Sequence, residues 1–260
     1  MNCGHIRDYL GDIDDDLRRV AFNFGVHAEN VGSNIVANQI DYTHLIDHIR
    51  DQQNTQACVG FAMTRAAHIR AQTLGLSMSH PSPAAPYTAA LSYDVPEPGE
   101  LRDIGCRPRA CAMTLMDPDM CTLVPESVFP FYAPTIAQRL PMHVFRAADG
   151  AKFHYYRISG SGTGRLDQVM RALTLGHPVV FAIATDEGFH DYSGGIYRPE
   201  GQDRGSHMMC LVGYGAGVFV AVNSWGKFWG DNGLVRIPPD ILGSSLRCYD
   251  FMVIDLVEAA

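Results

Sequence analysis

A thiol, an imidazole and a carboxamide stand out in this sequence because their order and spacing let them act on one another. Cys58 opens the run CVGFAMTRAAHIRAQ, which holds strong helix formers and no proline, so its sulfur belongs at or near a helix N-terminus. There the helix dipole favours a thiolate, and a neighbouring imidazolium favours it further, which makes the sulfur a nucleophile. The imidazole must come from a distant part of the chain. His207 lies 149 residues further on, at the start of HMMCLVGYG, and one hairpin later VNSWGKFWGDNG brings Asn223. In an antiparallel pair the start of one strand can lie opposite the end of the next, so His207 and Asn223 can be neighbours; the Asn oxygen then accepts a ring N–H and fixes the tautomer. Alone, a cysteine at a helix start is usually a small buried hydrophobe, and a single histidine among eleven is usually structural or exposed. It is the set that points to covalent catalysis through an activated thiol.

These side chains need helices on one side and strands on the other. The helix at Cys58 runs to about Gln72, and a second amphipathic helix is predicted at Leu166, Val169, Met170 and Leu173, stopped by Gly176 and Pro178. Near the start, Asp12, Asp14, Asp15 and Asp16 precede Leu17, Val20, Ala21 and Phe24 at helical spacing, with Gly25 after them: a short helix with an acidic start and a glycine stop. Five prolines between residues 79 and 100 predict a looped surface region. Short apolar, β-branched runs follow at Val179–Ala184, Met208–Val212, Val218–Val222, Leu234–Ile237 and Met252–Leu256, separated by Gly, Asn and Asp. Helices first and strands later make an α+β architecture, with the later strands in an antiparallel sheet or barrel.

Composition bounds the function. A chain of 260 residues, 47% apolar and 18% charged, can bury a core without disulfide or metal staples. A net charge of −8 without clustered Lys and Arg excludes a nucleic-acid surface. No stretch reaches the length of a membrane span, and the N-terminus lacks the pattern of a secretory signal, so a cytoplasmic protein, or one delivered from the cytoplasm without a signal peptide, is expected. Seven cysteines, an odd number, would all be thiols in a reducing compartment. Cys106, Cys111 and Cys121 lack a CxxC or paired histidines, so no metal site and no cofactor are expected.

The segments SHMMCLVGYG (206–215) and VNSWGKFWGDNGLVRI (222–237) resemble the histidine and asparagine signatures of papain-family, C1-type, cysteine peptidases. DQQNTQACVGFA (51–62) resembles the same family's Gln…Cys segment, with Gln52 six residues before Cys58. Looser similarity runs through 103–115, 124–132 and 176–197. The resemblance implies a two-lobed fold, a helical left lobe and an antiparallel β-barrel right lobe with the active cleft between them. It divides the chain into an N-terminal arm, 1–36, and a peptidase domain, 37–260. It also implies an endopeptidase acting on a peptide or protein substrate, with Cys58 as nucleophile, His207 as base, Asn223 orienting the base and the Gln52 amide in the oxyanion hole. Trp225 would cover the Asn223–His207 hydrogen bond and border the substrate, and Gly105 would meet the substrate backbone.

Two departures from the family pattern matter. Its Cys-Gly-Ser-Cys-Trp becomes Thr55-Gln56-Ala57-Cys58-Val59, so the left-lobe disulfide cannot form at that position, and Gln56 replaces a common glycine beside the cleft. Two other readings stay open: the same triad can run acyl transfer or deamidation of side-chain amides, and an inactive binding module would keep the fold alone.

Overall fold

The computed structural model describes residues 22–24, 36–94, 100–116, 121–145 and 152–257. Helix α1 (Cys58–Thr73) is buried from Cys58 to Ile69, as its run of small and apolar residues requires. Gly60 is needed for that depth: a Cβ there would stand 2.2 Å from the carbonyl oxygen of Pro83. That oxygen lies just before helix α2 (Ala84–Asp94), which the prolines were expected to prevent. The helix forms because Pro86 falls in its first turn, where its missing N–H has no intrahelical partner to lose, and Ser82 Oγ accepts the N–H of Ala85 at 3.2 Å. Helix α3 (Pro108–Met116), not foreseen in the sequence, begins on a proline for the same reason. Together α1, α2 and α3 build one lobe, and a short helix α4 (Met142–Phe145) follows.

The second lobe is a sheet. Its strands are β1 (Phe22–Asn23), β2 (Ile40–Asp41), β3 (Lys152–Arg157), β4 (Val179–Asp186), β5 (Asp203–Gly215), β6 (Val218–Val222), β7 (Leu234–Ile237) and β8 (Cys248–Val257). They run in the order β1-β3-β8-β4-β5-β6-β7, with β2 on β5, and every pairing except β1 with β3 is antiparallel. The period of two assigns the faces. Val180, Ala182, Met208, Cys210 and Val222 share a core with α1 and α3, whereas Val179, Phe181, Met209, Leu211 and Ala221 pack with Leu166, Val169 and Leu173 of helix α5 (Gly162–Thr174). Two short helices, α6 (Glu187–His190) and α7 (Pro239–Leu242), complete this side.

The strands expected at 179–184, 208–212, 218–222, 234–237 and 252–256 are all present. The helix expected over Leu17–Phe24 is not continuous to its end. Phe22 and Asn23 are extended, because β3 offers them partners at Tyr156 and Arg157, and the rest of that helix lies outside the described residues. Phe24 is fully buried, edge-on to Tyr156 and His177.

Cys58, Cys106, Cys111, Cys121, Cys210 and Cys248 form no disulfide, and Cys3 lies outside the described residues. Burial pushes the Cys210 thiol up to about 12, so it stays protonated and inert. The thermal midpoint is therefore expected to be the same with and without reductant. A drop of many degrees on reduction would reveal a stabilising bridge and overturn this.

Candidate active site

The register of β5 and β6 sets the site. Cys210 pairs with Val222, so His207 and Asn223 fall on the same face as diagonal neighbours near the ends of their strands. Asn223 Oδ1 accepts from His207 Nε2 at 2.6 Å and from the N–H of Ser224 at 2.7 Å. The loop holding Asn223 depends on Gly233, whose carbonyl oxygen accepts the Asn223 N–H at 2.9 Å; at φ +83°, a Cβ there would strike Ile49 at 2.4 Å.

With Nε2 donating to Asn223, Nδ1 is left as the basic nitrogen; it is buried and has no hydrogen-bond partner. The ring is fully buried, and that burial pushes its pKa down to about 4 against the raising effect of the Asn223 bond. Trp225 lies across the ring at 4.6 Å between centroids, and His190 lies against Trp225 at 5.0 Å. Trp229 is a core aromatic, its indole N–H donating to the carbonyl oxygen of Phe189 at 3.2 Å.

Gln52 is tied to the same strand ends. Its N–H donates to the carbonyl oxygen of Ser224 at 2.8 Å, and Asp51 bridges to Trp225. Its side-chain Oε1 accepts from Ser224 Oγ at 2.7 Å, and Nε2 donates to the carbonyl oxygen of Thr55 at 2.7 Å. One Nε2 hydrogen is thereby spent on holding the amide, and a second remains for a ligand. The Gln52–Thr55 turn delivers the chain to Cys58, the first residue of α1. Ala57 caps that helix without a side-chain bond, and no acidic residue sits in its first turn, so its positive end is not neutralised from within. The thiol is 1% exposed, in the core that joins α1 to Met208 and Val222.

Gly105 reaches this region indirectly. Its N–H donates to Tyr87 Oη at 3.1 Å, Tyr87 donates to Asp103, and the Asp103 carboxylate accepts the N–H of Gln56, two residues before Cys58, at 3.0 and 3.1 Å. Burial, with the Asp103 carboxylate beside it, holds the Tyr87 phenol protonated. In this arrangement the Gly105 N–H is already used within the protein. Sequence reasoning missed Ser224, which locks Gln52 to Asn223, and Asp103, which staples the 103–105 loop to the Cys58 turn. Ser224 stood inside a motif that was read, whereas Asp103 had no local signal.

Residues 126–245 match the family model for papain family cysteine proteases. Over 101 residues the chain is 32% identical to an uncharacterized peptidase C1-like protein of Acanthamoeba polyphaga mimivirus, covering 36% of this chain and 32% of that one. It is 35% identical over 101 residues to a cathepsin B-like protein of Giardia intestinalis, covering 35% and 34%. The matched stretch spans about a third of each relative's length. Among solved structures, Xylellain, a cysteine protease from Xylella fastidiosa, superposes with a TM-score of 0.78 at 20% identity over 99% of this chain and 98% of that one. Bromelain from Ananas comosus, solved with the E64 inhibitor, superposes at 0.67 with 18% identity over 85% and 100%. A helical lobe set against an antiparallel sheet, in this order, is the papain-like fold. The family match thus lies over residues 126–245, and the fold the chain shares with these solved structures is that of papain-like cysteine peptidases.

Proposed function

We propose that the chain is an endopeptidase that hydrolyses peptide bonds through a Cys58 thioester. The observation that carries this reading is the buried His207 ring, anchored at Nε2 by Asn223 and open at Nδ1. Burial opposes a lone imidazolium, so His207 gains its proton best when the thiol beside α1 loses one and supplies the opposite charge. Asn223 and the helix end then stabilise the two halves of the ion pair. The thiolate attacks the scissile carbonyl, and the oxyanion is met by the Cys58 backbone N–H and the Gln52 amide. His207 passes its proton to the leaving amine, then takes one from the water that hydrolyses the thioester.

Incubation with a peptide library, read by mass spectrometry, tests the reading. New N-termini that vanish with Cys58→Ala are expected. Ammonia release without cleavage would replace hydrolysis of peptide bonds by action on side-chain amides, and no product at all would leave a binding module.

The N-terminal arm acts in this reading as a strap, because Phe22 and Asn23 extend the sheet and Phe24 fills its core. Removing residues 1–36 is expected to lower the thermal midpoint with kcat/KM unchanged or reduced. Phe24→Ala alone should cost about 3–5 kcal/mol, as other buried Phe truncations do. Faster turnover by the truncated enzyme would make the arm a lid instead.

A further inference from the structure

Asp47, His48 and His80 lie in two loops of the helical lobe and take no part in the chemistry proposed for Cys58 and His207. His48 Nδ1 stands 2.9 Å from Asp47 Oδ1, and His80 Nε2 stands 2.7 Å from Asp47 Oδ2. Two imidazole nitrogens thus converge on one carboxylate from either side, and the three residues can present donor atoms within 4.8 Å of one another. We propose that these three side chains form a site for a zinc-class divalent ion.

The donor set selects the ion. Two imidazoles and a carboxylate suit zinc and its neighbours, whereas calcium and magnesium prefer all-oxygen shells. A tetrahedral ion binds such ligands at about 2.0–2.2 Å, which places its donors about 3.4 Å apart, so the imidazole–carboxylate contacts of 2.9 and 2.7 Å open slightly on binding while the wider separations, up to 4.8 Å, close. The side chains are free to do so: Asp47, His48 and His80 are 44%, 48% and 41% exposed. That exposure also leaves room for water in the fourth position.

The backbone beneath is held. The carbonyl oxygen of His48 accepts from Arg65 at 2.8 Å, that of His80 accepts the N–H of Glu126 at 2.7 Å, and Arg50 binds both the carbonyl oxygen of Pro81 and Glu126. An ion would therefore cross-link two already positioned loops, one of which leads within four residues to Gln52. Two features keep the site weak. The Arg65 guanidinium lies 3.8 Å from Asp47 Oδ1 and opposes a cation, and His80 Nδ1 is buried without an acceptor to orient the ring. An exchangeable ion is expected.

The test uses full-length protein with Cys58→Ala, so that the active-site thiol cannot bind metal. Zinc chloride titrated by calorimetry should bind at one equivalent, and adding His48→Ala or His80→Ala should weaken it about 10–100-fold. Circular dichroism checks that each variant is folded, and His48→Ala removes only an exposed side chain. Cobalt(II) provides a second reading, because nitrogen and oxygen ligands give d–d bands without intense sulfur charge transfer. Absence of saturable zinc binding, unchanged affinity in both histidine variants, or a cobalt spectrum dominated by sulfur would each overturn the proposal.

Discussion

Cys58→Ala and His207→Ala are each expected to lower kcat by on the order of 10⁶-fold, and the double variant by no more than either alone, because nucleophile and base act as one unit. A thiol-directed reagent such as iodoacetamide should label Cys58 first, given its place at the uncapped end of α1. Labelling that favours another cysteine, with Cys58→Ala still active, would sink the assignment. The same variant isolates the electrostatics. Without a thiolate to share its proton, His207 has only burial, and to a lesser extent His190, acting against the raising Asn223 bond, and its pKa should stand at about 4. Between there and the unfolded value of about 6.5 the unfolded chain binds more protons than the folded one, so the stability of Cys58→Ala should rise with pH across that window and flatten above it. In the parent protein a resting ion pair would keep the imidazolium to higher pH. A histidine titration by NMR that is identical in the two proteins would show that no such pair forms.

The strands and the helix at Cys58 were legible because their signals are local: β-branched runs cut by Gly and Asn, and helix formers without proline. Helix α2 was hidden by a local signal that tertiary position reverses, since a proline breaks a helix only beyond its first turn, and Pro86 lies within it. Strand β3, KFHYYR, carries few β-branched residues; it exists because β8 pairs with it along its whole length. The site divides in the same way. The helix start at Cys58 and the nearness of His207 to Asn223 could be read from residue type and strand order, and the choice of these residues together with Gln52 from the motifs that carry the resemblance. The bonds that orient them could not, because they join residues far apart in sequence: Gln52 to Ser224, and Gln56 to Asp103. The metal-type cluster was equally silent, since His48 and His80 form no spaced motif and meet only through the fold.

Gln52→Ala is expected to lower kcat by about 10²–10³-fold with little change in KM, the effect of deleting one oxyanion donor. The direction of that split is the point. A donor aimed at charge that exists only after attack on the carbonyl does little for bound substrate, so its loss falls on the chemical step. Gln52 is suited to this because its amide is preset: Ser224 Oγ holds Oε1, and the Thr55 carbonyl holds one Nε2 hydrogen, so the second hydrogen has a fixed direction before substrate arrives. Ser224→Ala should therefore reproduce part of the loss, by roughly tenfold, without removing the donor, since it frees the amide to rotate. Gln52→Glu is the stricter control. It keeps the size and the contact with Ser224 but places a carboxylate where the oxyanion develops, and should be at least as impaired as Gln52→Ala. If Gln52→Ala raised KM and left kcat unchanged, Gln52 would be a residue that binds substrate, and the oxyanion would have to rest on backbone N–H groups at the start of α1.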